Sequence, residues 1–192
     1  SYLKTLGGSI GQPVDLALDR PGNIYVLDGA NQTVLVFDQA GTLQSAIGDS
    51  LLIKHGVSLD IGYRDDGSGT EIGELYVADQ QACTIHVFAL DGTYKRSLGT
   101  CGTMYTTIWD GMFSGLMAVS LDPFGNVHGL DNSLNVVQVF SPQTGAFLGS
   151  YNAYPPENEY RLNLQTDIGI HPTDHRVLVS NVATRAVETI TT

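Results

Sequence analysis

Along the whole chain, short runs of alternating or crowded apolar residues are separated by turns rich in Gly, Asp, Asn and Pro. Runs of this length and period predict β-strands, and the turn residues mark their ends. In the first unit Val14 to Leu18 alternates, Asn23 to Leu27 follows a Pro-Gly turn, and Thr33 to Phe37 and then Thr42 to Ile47 complete the set. The second unit repeats the order with Val57 to Tyr63, Glu74 to Ala78, Thr84 to Phe88 and Thr93 to Leu98. The third has Met117 to Leu121, Asn126 to Leu130, Val136 to Phe140 and Ala146 to Tyr151, and the fourth has Thr166 to Ile170, Arg176 to Ser180 and Ala186 to Ile190.

One phrase marks each unit. It closes on Asp28 in Asn23-Ile24-Tyr25-Val26-Leu27-Asp28, and returns at Asp79, at Asp131 and, more faintly, at Asn181, at intervals of 51, 52 and 50 residues. A period of this size built on strand residues signals a β-propeller or a related array. The fourth unit shows three strands, and the segment Tyr2 to Gly7, which matches Tyr94 to Gly99, supplies the missing one. The expected fold is all-β: a four-bladed propeller of four-stranded antiparallel blades, with repeats at about 8–48, 49–99, 100–151 and 152–192 plus 1–7. The N-terminal strand would complete the C-terminal blade, which hides sheet edges. A fragment of a larger propeller, and exchange of the first strand between molecules, stay open beside it.

Composition narrows the function more than the fold. The chain has 192 residues, 9 Lys plus Arg against 20 Asp plus Glu, and a net charge of -11. It has no basic run, so a nucleic-acid partner is not expected. At 42% hydrophobic residues it suits one folded domain, and no stretch approaches the length of a membrane span. With no signal peptide visible, the sequence reads as cytosolic or as a mature chain after signal removal.

The strand Asp-x-x-Gly-Asn-(Ile/Leu)-Tyr-Val-(Ala/Leu)-Asp, followed by a Val-x-Val-Phe strand and a Gly-containing turn, resembles NHL repeats over essentially the whole chain. The resemblance implies a propeller, commonly of six blades, so four units depart from it. Its members include RNA-binding and protein-binding domains and the lyase domain of the peptide-amidating enzyme. The acidic charge argues against the RNA-binding branch. The lyase branch uses metal-binding His residues with a catalytic Tyr and Arg around a central channel, and none of these maps onto this sequence.

Cys83 lies just before the third strand of its blade and Cys101 just after the fourth. With the hairpin turning at Asp91-Gly92 they fall opposite each other, within reach of a disulfide. Such a bond implies an oxidising compartment, extracellular or periplasmic, and closing about 18 residues contributes up to about 3 kcal/mol. Asn31-Gln32-Thr33 is a glycosylation sequon, weakly consistent with secretion. The repeated Asp28, Asp79 and Asp131 read as fasteners that bond N–H groups of the following turn. His55, His86, His128, His171 and His175 show no close-spaced metal pair outside the Pro172 turn, and no cofactor is implied. Asp65, Asp66 and Glu71 in a Gly-punctuated insertion are weak calcium candidates, although a solvated hairpin tip explains them as well.

Two connections do not repeat: Thr100 to Gly115, with Tyr105, Trp109 and Phe113, and Asn152 to Gln165, with Tyr154 and Tyr160. Long loops on a rigid scaffold tend to carry function, and these aromatics suit a protein or carbohydrate contact. The expected function is a non-catalytic extracytoplasmic binding or self-assembly scaffold, acting through these loops or through the terminal strand in a homo-oligomer or filament. A metal-dependent lyase or hydrolase is the alternative.

Overall fold

A computed structural model describes residues 5, 6, 8–102, 110–152, 165–171, 173–182 and 185–190. The described residues form an all-β, four-bladed propeller whose blades stand around one axis. Blade 1 is β1 (Pro13–Leu18), β2 (Ile24–Asp28), β3 (Thr33–Phe37) and β4 (Leu43–Ile47), antiparallel in sequence order. Blade 2 is β5 (Gly56–Asp65), β6 (Glu71–Asp79), β7 (Thr84–Ala89) and β8 (Tyr94–Leu98). A short pair, β9 (Thr100–Cys101) and β10 (Met112–Phe113), precedes blade 3, which is β11 (Leu116–Leu121), β12 (Val127–Asp131), β13 (Val136–Phe140) and β14 (Phe147–Asn152). Blade 4 shows β15 (Gln165–Ile170), β16 (Val177–Asn181) and β17 (Ala186–Ile190).

Each repeated phrase folds for a local reason. The Asp19 carboxylate accepts the Asn23 backbone N–H at 2.7 Å and its side-chain amide at 2.7 Å, and Asp122 grips Asn126 in the same two ways at 2.8 Å. Between these partners Gly22 and Gly125 take φ of 92° and 84°, a conformation that favours glycine. The turn from first to second strand is thereby set, and the apolar alternation that follows continues as strand.

The Asp at the end of each second strand does more than fasten the next turn. Asp28 accepts Ala30 N–H at 3.0 Å and the Asn31 amide at 2.8 Å, and also Gly11 N–H and Gln12 N–H at 2.8 and 2.9 Å from the segment that enters the blade. Asp79 repeats this with Ala82, Lys54 and His55, and Asp131 with Ser133, Leu134, Ser114 and Gly115. All three carboxylates are fully buried. Each one ties the incoming connection to the far end of the second strand.

The core lies between blades. Leu27, Val34 and Ile47 of blade 1 pack with Leu59, Val77 and Phe88 of blade 2. Ile85 and Leu98 of blade 2 pack with Val119 and Phe140 of blade 3, and Leu130 and Val137 of blade 3 pack with Ile168 and Val179 of blade 4. Most of the expected closing strand, residues 1–4 and 7, lies outside the described residues. Leu6 is described. It packs with Ile10 and Ile24 against Val26, Leu35 and Phe37, in the place that Ile47 holds against Leu75, Val77 and Phe88.

The insertion at Arg64 to Glu71 ends in the expected exposed hairpin tip, and it does one thing more. It lengthens β5 and β6 as paired strands, with Arg64 opposite Ile72 and Asp65 opposite Glu71, and the turn itself is confined to the tip. The pair β9–β10 is parallel and only two residues long, below the length at which alternation shows in sequence.

Burial works to raise the carboxyl pKa values of Asp28 and Asp79, but the hydrogen bonds they accept outweigh it and hold both at about 2. A carboxyl depressed in the fold contributes stability that is fully present above the unfolded pKa and is lost as pH falls toward the folded one. Wild-type resistance to urea is therefore expected to hold at pH 5 and to fall between about pH 4 and pH 2. Asp28→Asn with Asp79→Asn should be less stable at pH 5 and lose less on acidification. Asp131→Ala, which strands four donors, should cost about 2–4 kcal/mol in the same measurement.

Candidate functional site

The ends of the four innermost strands meet around the axis on the face that carries the first-to-second strand turns. They line a cleft of about 350 Å³ walled by Arg20 of blade 1, Asp60 to Tyr63 of blade 2, Leu121 to Pro123 of blade 3 and Ile170 of blade 4. The long β5–β6 hairpin borders it through Gly62 and Tyr63. The Tyr63 hydroxyl accepts Arg20 N–H at 2.7 Å, the Arg20 guanidinium lies 4.2 Å from the centre of the Tyr63 ring, and the same guanidinium pairs with Glu71.

Polar groups here are largely engaged with the fold. Asp60 accepts Ile61 N–H at 2.7 Å on one oxygen and Leu121 N–H of the next blade at 2.9 Å on the other. Burial pushes its carboxyl up, against these hydrogen bonds. Asp167 on β15 is also pushed up, by burial first and then by the charge of Asp15. Asp122 is taken by its own turn and lies 3.4 Å from His128 Nε2, while His128 Nδ1 meets the Tyr151 hydroxyl at 2.9 Å. Burial lowers the His128 pKa, so the ring favours its neutral form. In this set Arg20 is paired with Glu71, both Asp60 oxygens accept backbone N–H groups, and the hydroxyl beside His128 is that of Tyr151.

Away from the axis, buried Glu74 accepts from Arg64 at 3.1 and 3.0 Å, from Arg96 at 3.1 and 2.8 Å and from the Tyr76 hydroxyl at 2.8 Å. Burial raises its pKa, but these donors prevail and hold it at about 2. Arg96 reaches on to the Pro142 carbonyl of blade 3, so the cluster joins two blades. Sequence reading missed it. Its signal was a Glu at the position held by Asn23 and Asn126 in a chain that is only 15% charged.

The disulfide Cys83–Cys101 is formed, with Cα atoms 4.8 Å apart. It joins the start of β7 to β9. From there Thr100 N–H and Gly102 N–H donate to Gly111 and Phe113 carbonyls at 3.0 and 2.8 Å, and Gln138 of blade 3 accepts Gly111 N–H at 2.8 Å while donating to the Met112 carbonyl. Both roots of segment 103–109 are thus fixed to the scaffold and to each other. Tyr105 and Trp109, like Tyr154 and Tyr160 of the other connection, lie outside the described residues.

Phe113 is not an exposed contact. It is fully buried between blades 2 and 3, 5.6 Å from the Phe140 ring, in a slot that exists because Gly99 and Gly129 carry no Cβ. Ile10 and Ile53 fill the same place before blades 1 and 2, each five residues ahead of Asp15 and Ser58 as Phe113 is ahead of Ala118. That spacing was the available signal.

The three calcium candidates do not converge. Asp65 and Asp66 accept N–H groups of their own turn, from Gly67 and Gly69 and from Ser68, and Glu71 faces Arg20. Among the described residues no group of three or more His, Cys, Asp or Glu is placed to hold a metal. His86 is buried 3.4 Å from Asp79, His171 pairs with Asp174 at 2.9 Å, and His175 meets Phe124 edge-on. The Asn31 side chain is exposed, and its amide nitrogen, where a glycan would attach, donates to Asp28.

No family model matches the sequence, and no curated protein matches it. Solved structures do. A catalytically inactive virginiamycin B lyase from Staphylococcus aureus, bound to quinupristin, matches with a TM-score of 0.64 at 14% identity over 94% of this chain and 52% of that one. A hydrazine synthase from Kuenenia stuttgartiensis matches with a TM-score of 0.56 at 11% identity, over 99% and 53%. A Bacteroides thetaiotaomicron protein of unknown function matches with a TM-score of 0.62 at 15% identity, over 91% and 46%. The shared feature is the β-propeller. The chain spans about half the length of the chains it matches. Among the described residues no helix is long and apolar enough to cross a membrane.

If Phe113 serves the core, Phe113→Ala should lower stability by about 3–5 kcal/mol in denaturant titration. A change under 1 kcal/mol would return it to the surface candidates.

Proposed function

We propose that this chain is a non-catalytic binding and assembly scaffold of NHL-like repeats that works outside the cytoplasm, with a protein or carbohydrate ligand contacted through its long connections. The observation that carries this reading is the double anchoring of segment 103–109, by the Cys83–Cys101 disulfide on one side and by Gln138 on the other. A segment fixed at both roots loses less conformational freedom on binding, which favours affinity. Its aromatics Tyr105 and Trp109, with Tyr154 and Tyr160, supply contact area of the kind that dominates interfaces. The disulfide supports an extracellular or periplasmic site. The acidic surface disfavours nucleic acid.

The axial cleft favours a second reading, a metal-dependent lyase or hydrolase, because all four blades contribute to it and Arg20 stands at its wall. Elemental analysis of the purified protein separates the two: stoichiometric zinc or calcium supports the enzyme.

Trp109→Ala with Tyr160→Ala is expected to weaken binding at least tenfold, on a glycan array or in capture of cell-surface proteins, with an unchanged melting temperature. Reductant should weaken wild-type binding in the same assay. Binding that survives both treatments removes the loop face from the account.

A further inference from the structure

The Cys83–Cys101 bond has a natural control in the same corner of blade 1, where no bond exists. Cys83 takes φ of 53° just before β7, and Gln32 takes φ of 52° just before β3. Thr33 donates its hydroxyl to the Ile47 and Gly48 carbonyls at 3.0 and 3.1 Å, and Thr84 donates in the same way to Leu98 and Gly99 at 2.8 and 3.1 Å. Both third-to-fourth strand hairpins are therefore closed at this end by a threonine. The hairpin of blade 2 does not depend on the disulfide for its closure.

The bond acts beyond Gly99. In blade 1 the chain turns at Asp49, whose carbonyl accepts Leu52 and Ile53 N–H at 3.0 and 2.8 Å, and Ile53 enters the apolar layer five residues after Gly48. After Gly99 the chain leaves as β9 and returns as β10, and Phe113 enters its layer fourteen residues on. The two halves of this excursion are held unequally. β10 is fixed by buried Phe113 and by both ends of the Gln138 amide. β9 is held by two ladder bonds, Thr100 and Gly102 N–H to the Gly111 and Phe113 carbonyls, and by the disulfide. A parallel pair of two residues is marginal by itself.

The bond is also within reach of solvent. Cys101 is exposed and Cys83 half-buried, so a thiol meets the sulfurs without opening the blade. Exposed disulfides exchange with thiols, whereas structural ones resist reduction.

We infer that Cys83–Cys101 is a redox-operated latch on β9, opened by a thiol while the propeller stays folded. A thiolate attacks the Cys101 sulfur, the S–S bond breaks with its electron pair left on the Cys83 sulfur, and that sulfur takes a proton. A second thiolate then displaces Cys101 from the mixed disulfide. Two external thiols are oxidised to one disulfide, and both cysteines become thiols. Closed, the latch holds β9 on blade 2. Open, it leaves β9 to its two ladder bonds, while β10 stays with Gln138 of blade 3. The latch makes the double anchoring of the proposed function reversible, and to that extent it rests on that reading.

Amide hydrogen exchange of the folded protein, with and without millimolar reduced glutathione at neutral pH, tests the latch, with free thiols counted by alkylation and mass spectrometry. Glutathione is expected to open the bond without denaturant and to cut the protection of the Thr100 and Gly102 amides at least about tenfold. Protection of Gly111 and of the blade 2 ladder should stay as it was, and oxidised glutathione should restore Thr100 and Gly102. Cys83→Ser with Cys101→Ser should show the low protection in either buffer and keep the wild-type circular dichroism. A bond that opens only in urea, amides whose protection ignores its state, or a double variant that does not fold overturns the latch. Ligand binding is not read here, so failure of the loop-binding reading is a separate result.

Discussion

A buried carboxylate at the end of each second strand governs the geometry of this propeller. Asp28 and Asp131 each collect four donors, two from the turn ahead and two from the connection that enters the blade, and Asp79 collects one from the turn and two from the connection. A connection held this way begins the innermost strand at one place relative to the second strand. It also fixes the residue just before the clamped N–H pair. That residue is Ile10, Ile53 or Phe113, and each enters the apolar layer beside its blade. Charge accounts for the strength of the clamp, because charge-assisted hydrogen bonds in a dry site are stronger than neutral ones. Burial alone would have made the carboxylate a liability.

Given that clamp, stability resides between blades rather than within them. A single four-stranded blade has two faces to cover and no interior. The three apolar layers cover the facing sides of four blades, and the polar links Leu59 to Asp15, Val119 to Ser58 and Leu121 to Asp60 hold the strands nearest the axis in register. The last of these links draws on Asp60, a carboxylate that lines the axial cleft, so the cleft wall is also a joint between blades. The Glu74 cluster also joins neighbouring blades at the periphery, through Arg96, which donates both to Glu74 of its own blade and to the Pro142 carbonyl of the next.

Much of this was legible in the sequence. The strands follow from alternation, the blades from the period, and the disulfide from the register of one hairpin, since each of these depends on spacing along a chain of known geometry. What was not legible depends on contacts between segments distant in sequence. The Asp clamp was half visible, because its bonds to the following turn are local and its bonds to the incoming connection are not. Phe113 read as a surface aromatic because it sits in a long connection, and only comparison with Ile10 and Ile53 reveals a core position. The insertion after Tyr63 read as a hairpin tip because Gly and Asp dominate it, yet Arg64 with Ile72 and Asp65 with Glu71 extend the ladder into it. Trp109 and Tyr160 were legible as residue types only.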